Sequence, residues 1–177
     1  VTLLQLREKN RTTLEYYELA RKVKKLTDAY GVPLMIDDRV DIALAVDAAG
    51  VHVGAEDMPV REARRLMGPD KIVGATAKRV DTAMQAEADG ADYLGVGAIY
   101  PTTTKVKTVL TSVETLQDIC AHVSILVGAI GGLNAENCEI LKGTGIKGIC
   151  VVSAIMKQEN SYDAAKALKA KIMTICK

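Results

Sequence analysis

Three groups of polar side chains stand directly behind apolar, β-forming runs, and each has a chemistry of its own. In VTLLQLREKN, residues Gln5, Arg7 and Lys9 share one parity and Glu8 the other. On an extended strand the first three side chains point to the same side. Two cations and an amide leaving a strand end together suit an anion grip; the plain alternative is a solvated strand end. The second group is acidic. Asp37 and Asp38 close VPLMIDD, and Asp57 follows GVHVG. Carboxylates from neighbouring strand ends suit one hard cation, since magnesium takes one or two protein carboxylates plus phosphate oxygens and water. Asp is equally at home as a helix cap in both places.

The third group is built for phosphate. Thr76 stands in GATAKR at the end of the fourth apolar run, and GVGAIYPTTTK carries Thr102, Thr103, Thr104 and Lys105 behind its own. Hydroxyls and an ammonium beside exposed backbone N–H groups suit a phosphate, as they also suit a threonine-rich surface loop. GAIGG brings Gly131 and Gly132 before a helical stretch, and VVSAI places Val152 and Ser153 before another. Glycine there lets an oxyanion approach the backbone closely. Taken together, these last two loops match the phosphate cradle that follows strands 7 and 8 of many βα barrels. His52 alternates with Val51 and Val53 and reads as a packed or hydrogen-bonded residue rather than a base. His122 reads as exposed. Tyr16 and Tyr17 read as helix packing, and the Met residues as core filling. A nucleophile with its own base is not evident, so covalent catalysis has no candidate.

Parallel strands joined by helices are the elements that would position these groups. Strand candidates begin at Val1, Val32, Gly50, Lys71, Ala91, Ser124 and Gly148. Helical patterns lie between them, among them TLEYYELARKVKKLTDAYG, MPVREARRLMG, VDTAMQAEADG, SVETLQDIC, NAENCEILKGTG and SYDAAKALKAKIM. In the first of these Leu14, Tyr17, Leu19, Val23 and Leu26 mark an apolar stripe, with Thr13 as a cap and Gly31 as the stop. Alternating strands and helices require right-handed parallel crossovers. Polar residues recur after strand upon strand rather than at one switch point, which favours an α/β TIM barrel over an open doubly wound sheet. The strand tips of such a barrel meet at one rim. Seven strand–helix units are visible in the sequence, whereas a closed barrel has eight.

Composition narrows the function further. The chain has 177 residues, and 23 basic against 22 acidic side chains give a formal charge of +1. That balance supplies no field to draw nucleic acid or an anionic membrane, so any anion site is local. Aromatic residues make up 3%, all Tyr, which leaves few platforms for stacking bases. Uninterrupted apolar runs fall short of a membrane span. Cys120, Cys138, Cys150 and Cys176 are scattered without a C-x-x-C pair, reading as mostly buried thiols in a reducing, cytoplasmic setting.

The series QLREK, DDRVDIALAVDAAGVHVG-x-EDMP, ADYLGVG-x-IYPTTTK, AIGG and VVSAI resembles the thiamin phosphate synthase family, in order and over essentially the whole chain. The resemblance implies a magnesium-dependent transferase on a TIM barrel. It joins 4-amino-5-hydroxymethyl-2-methylpyrimidine diphosphate to 4-methyl-5-(2-hydroxyethyl)thiazole phosphate and releases pyrophosphate. Carried over, it assigns the segment Gln5, Leu6, Arg7, Glu8 and Lys9 to the pyrimidine diphosphate, with Asp37, Thr76 and Lys105. Asp38 and Asp57 would hold Mg2+, and Thr102, Thr103, Thr104, Gly132, Val152 and Ser153 would contact the thiazole phosphate. Arg7, Lys9 and Lys105 would act on the departing charge. Partners are thus two small molecules, with neither nucleic acid nor membrane, and a homo-oligomer is left open.

Several positions depart from the family pattern. Asp37 stands where Asn is usual, Ala55 where Gln is, Thr76 where Ser is, and Ala98 where Pro is; VKTVLTSVE after Lys105 lacks the usual acidic residue and glycine-rich turn. The family's first strand–helix unit has no counterpart here, so an N-terminally truncated single barrel domain over residues 1–177 is expected. Two other roles fit parts of the pattern: a thiazole tautomerase-like relative, and an inactive barrel that only binds phosphate ligands.

Overall fold

The structure, a computed structural model, describes residues 1–102 and 109–176. Its elements alternate as the sequence leads one to expect. In chain order they are β1 (Leu4–Leu6), α1 (Thr13–Ala29), β2 (Leu34–Asp37), α2 (Val40–Ala45), β3 (Gly50–Val53), α3 (Val60–Met67), β4 (Ile72–Ala77) and α4 (Val80–Ala88). There follow β5 (Tyr93–Gly97), α5 (Val113–His122), β6 (Leu126–Ile130), a 3₁₀ turn (Cys138–Leu141), β7 (Gly148–Cys150), α6 (Ser153–Met156) and α7 (Ser161–Ile175). The chain forms two compact units, Val1–Thr76 with Ala88–Asp92, and Ala77–Glu87 with Tyr93–Lys177.

In the first unit β1, β2, β3 and β4 pair in that order, all parallel. The register sets Leu6 beside Ile36, Asp37 beside His52, and His52 beside Gly74. Burial explains the sequence of β2 and β3: every residue of both strands is buried, as expected when helices cover one face and an interior the other. Leu34, Ile36, Val51, Val53 and Val73 form a core with Tyr16, Ala20, Ile42, Ala43, Ala63 and Met67 from α1 to α3. Arg64 fastens α3 to the outlying segment, donating to the carbonyls of Gly68, Lys71 and Gly90 at 2.6–3.0 Å.

Helix α1 is capped one residue earlier than expected, by Thr12 rather than Thr13. The Thr12 hydroxyl accepts from the Glu15 amide at 3.3 Å, while the Glu15 carboxylate accepts from the Thr12 amide at 2.8 Å. This reciprocal box satisfies two of the helix's free donors, which Thr13 has no Glu three residues on to do. The buried stripe is also rotated from the expected one. Tyr16 and Ala20 face the core, whereas Leu14 is 66% and Leu26 60% exposed. A 3.6-residue period is compatible with two overlapping faces, and the face whose Tyr has a hydrogen-bond partner at its tip goes inside.

In the second unit β5, β6 and β7 pair in order, again parallel. Leu94, Val96, Leu116, Ile119, Val127, Ala129, Leu141, Ile146 and Leu168 are among its buried apolar residues. Here NAENCEILKGTG departs from the expected helix. Only a 3₁₀ turn forms, because the Asn134 and Asn137 side chains take the amides of Asn134, Glu136 and Asn137 into a local turn. Of the four thiols, Cys138 alone is fully buried; Cys120, Cys150 and Cys176 are half-buried. Burial nonetheless raises all four above the usual thiol range, which keeps them protonated and poorly reactive near neutrality. None of the helices among the described residues is long and apolar enough to cross a membrane.

Candidate active site

The first unit gathers the basic and acidic groups at the C-terminal ends of β1, β2 and β3. Asp37, the last residue of β2, is their hub. Its side chain is 8% exposed, accepts from Gln5 Nε2 at 3.1 Å, and pairs with Arg7 Nε at 3.0 Å. Lys9 pairs with Asp38. The parity shared by Gln5, Arg7 and Lys9 therefore brings them to one place, although β1 itself stops at Leu6. Glu8 leaves this group and pairs with Arg11 at 3.3 Å. Leu6 contributes its carbonyl, which accepts from the Tyr16 hydroxyl at 2.8 Å.

Asp38 adopts φ +64°, in the left-handed region. The Arg39 amide donates to the Asp37 carbonyl at 2.8 Å, closing a three-residue turn around it, and the Asp38 amide donates to the His52 carbonyl at 2.8 Å. Asp tolerates this backbone better than most side chains, and such a turn re-aims what it carries. The carboxyl groups of Asp38 and Asp57 are near enough that each shifts the other's pKa. Asp57 in turn accepts from the Gly54 amide at 2.9 Å. A cleft of about 640 Å³ between α2 and α3 opens beside the pair, lined by Asp38, Asp57, Val40, Leu44 and Met58 among others.

The electrostatics follow from this crowding. Burial, then the neighbouring Asp38, push the Asp37 carboxyl up to about 7, against the pull of Arg7 and Lys9. Burial also acts on Asp38, but its hydrogen bonds to Asp57 and Lys9 outweigh it and hold that carboxyl below the usual range. Asp57 is raised, by burial first and then by its bond to Asp38. Two neighbouring carboxyl groups beside a lysine repel one another, and a divalent cation relieves that repulsion. Among the described residues no cluster of three or more His, Cys, Asp and Glu side chains forms an all-protein metal cage. Two carboxyl groups from neighbouring strand ends are a donor set that a hard divalent cation can share, with water and phosphate oxygens in its other positions.

Thr76, near the end of β4, has its hydroxyl 3.0 Å from His52 Nε2. His52 is 8% exposed, as its place between two valines suggested. Its carbonyl holds Asp38 while its ring meets Thr76. That double role was hidden in the sequence, because it depends on the register Asp37–His52–Gly74.

The second unit holds the other group. After β5 the chain keeps pairing beyond the strand: the Ile99 amide donates to the Ile130 carbonyl and the Tyr100 amide to the Gly131 carbonyl, both at 3.0 Å. Thr102 follows, half-buried; Thr103, Thr104 and Lys105 lie outside the described residues. Gly132 has φ +63°, and a Cβ there would stand 2.6 Å from Tyr100 Cβ and 2.8 Å from the Pro101 carbonyl oxygen. Its carbonyl accepts from Asn137 Nδ2 at 2.9 Å. Asn134 and Asn137 thus lock the loop that the glycines open, a role that Asn-x-x-Asn behind Gly–Gly signals through its turn chemistry. Val152 caps α6 through its carbonyl, which accepts from the Ile155 and Met156 amides at 3.1 and 2.9 Å, and the residue is 54% exposed. Ser153 begins that helix, half-buried.

Both groups sit directly after strands of a βα series, and comparison with known proteins is consistent with that arrangement. The chain is 54% identical over 175 residues to thiamine-phosphate synthase 2 of Streptococcus pneumoniae, covering 99% of this chain and 83% of that protein. A thiamine phosphate pyrophosphorylase structure from Pyrococcus furiosus superposes with a TM-score of 0.91 at 40% identity, covering 99% of this chain and 85% of that one. A 3-hexulose-6-phosphate synthase structure shares the fold, with a TM-score of 0.70 at 16% identity over 97% and 87% of the two chains. The fold is accordingly TIM-barrel-like. A family model described as thiamine monophosphate synthase matches residues 1–155, and this chain belongs to that family.

Proposed function

We propose that this chain condenses 4-amino-5-hydroxymethyl-2-methylpyrimidine diphosphate with 4-methyl-5-(2-hydroxyethyl)thiazole phosphate, giving thiamin phosphate and pyrophosphate in the cytoplasm. The observation that carries this reading is the convergence of Gln5, Arg7 and Lys9 with Asp37, Asp38 and Asp57 at the ends of three parallel strands. Arg7 and Lys9 are held on carboxylates, so each is aimed before any substrate arrives. Asp38 and Asp57 would hold Mg2+, which when bound neutralises diphosphate oxygens and favours their departure.

The remaining chemistry falls to the chain's own side chains. The diphosphate leaves with its electron pair, and the pyrimidine's exocyclic amino group stabilises the methylene cation left behind. The thiazole nitrogen then adds to that carbon. Arg7, Lys9 and Lys105 meet the developing negative charge. Each charge pair at about 4 Å is worth roughly 4 kcal/mol near a protein surface. Thr76, held by His52, offers its hydroxyl to the pyrimidine side. Gly132, Ser153 and the Thr102–Thr104 run receive the thiazole phosphate through amides and hydroxyls. A general base is not required, and positioning with charge neutralisation supplies the rate.

Mixing both substrates with magnesium tests this. Pyrophosphate should appear in a one-to-one ratio with thiamin phosphate. Isomerised thiazole phosphate without pyrophosphate indicates the tautomerase role instead, and binding of both ligands without turnover indicates an inactive barrel.

A further inference from the structure

The sequence treats Tyr16 as helix packing, and its ring does pack: the residue is 2% exposed within the core of the first unit. A phenylalanine would fill that space equally well. The hydroxyl needs its own explanation, and the structure supplies one. Tyr16 Oη donates to the Leu6 carbonyl at 2.8 Å and lies 3.3 Å from the Asp37 carbonyl. It has one proton, so Leu6 takes the stronger bond and Asp37 the weaker share. Leu6 and Asp37 are the last residues of β1 and β2, immediately before Arg7 and Asp38.

Backbone pairing leaves that point uncovered. The β1–β2 register runs from Leu4–Leu34 to Leu6–Ile36 and ends there. Beyond it the two strand ends are joined through Asp37, by Gln5 and by Arg7. An incoming diphosphate competes for those very donors. The Tyr16 hydroxyl belongs to a residue only 2% exposed and is not one of those donors.

We propose that Tyr16 is a positioning residue for the magnesium–diphosphate half of the site, its hydroxyl fixing the strand end that carries Arg7 against the strand end that carries Asp38. The proposal rests on the functional reading above. It adds a tie that persists when Arg7 and Lys9 leave their carboxylates for the diphosphate. Outer-shell groups of this kind typically change metal affinity by roughly 10–100-fold when removed.

Tyr16→Phe tests it by calorimetric titration with magnesium and inorganic pyrophosphate, and separately with thiazole phosphate. The expected result is about tenfold or more weaker magnesium–pyrophosphate binding, with thiazole phosphate affinity unchanged. Tyr16→Met, which also lacks the hydroxyl but fills the space with a flexible chain, should repeat the selective loss. Urea unfolding of both variants shows that each titration reads folded protein. Equal losses for the two ligands reduce Tyr16 to a general stabiliser and overturn the proposal, as does unchanged pyrophosphate binding. A wild-type chain that fails to bind magnesium pyrophosphate overturns the functional reading itself, and the proposal with it.

Discussion

Gly132→Ala probes the second group of the site through a magnitude the structure fixes. The new Cβ meets two separate penalties. A φ of +63° costs an L-residue about 1–2 kcal/mol. The contacts at 2.6 Å to Tyr100 Cβ and 2.8 Å to the Pro101 oxygen demand a backbone shift, for which overpacking costs of about 1–3 kcal/mol are typical. The sum is about 2–5 kcal/mol, a large share of the roughly 5–15 kcal/mol that holds a domain folded. Gly143→Ala is the control: its φ is +82°, yet a Cβ there meets nothing within 4 Å, so only the first penalty applies. Urea unfolding of both variants measures the difference directly, about 1–3 kcal/mol in favour of Gly143→Ala. The loop shift should also raise the KM for thiazole phosphate while leaving magnesium–pyrophosphate affinity intact. Equal destabilisation by the two substitutions would falsify the close packing of Gly132 on the Tyr100–Pro101 segment.

Two further outcomes follow from the first unit. Arg7→Ala should lower the rate of pyrophosphate release by two orders of magnitude or more, on the scale of a roughly 4 kcal/mol charge contact. Stability should fall by less than that, since Arg7 is 40% exposed, although Asp37, only 8% exposed, loses its cation. A comparable loss of both would contradict its role as a diphosphate group. Asp57→Ala removes one of the two joined carboxyl groups, so a magnesium titration of activity should shift to higher concentration, and an unshifted curve removes Asp57 as a ligand.

The strand-end groups were legible in the sequence because a polar stop behind an apolar run is a local signal: Gln5, Arg7 and Lys9 cluster where β1 ends, at Leu6. The acidic residues were legible for the same reason, as polar ends of apolar runs. Which of them would serve as hub was not. Asp37 takes Gln5 and Arg7 because β1 and β2 pair at Leu6–Ile36, and register is a property of two strands rather than one. His52 with Thr76, and Asn137 with the Gly132 carbonyl, were hidden likewise. Helix α1 shows the converse. Its existence was plain, but its inward face turned on one phenolic hydroxyl finding two carbonyls, which no periodicity encodes.

The backbone bonds from Ile99 and Tyr100 to Ile130 and Gly131 carry an evolutionary constraint of an unusual kind. They are made by amides and carbonyls, so what they constrain directly is the number of residues between them. A single-residue insertion or deletion between Gly97 and Tyr100 would move every later donor opposite the wrong acceptor. Descendants of this chain should therefore hold the length of that stretch fixed, and keep Gly97 as well, since a Cβ there would stand 2.0 Å from the Ile130 carbonyl oxygen.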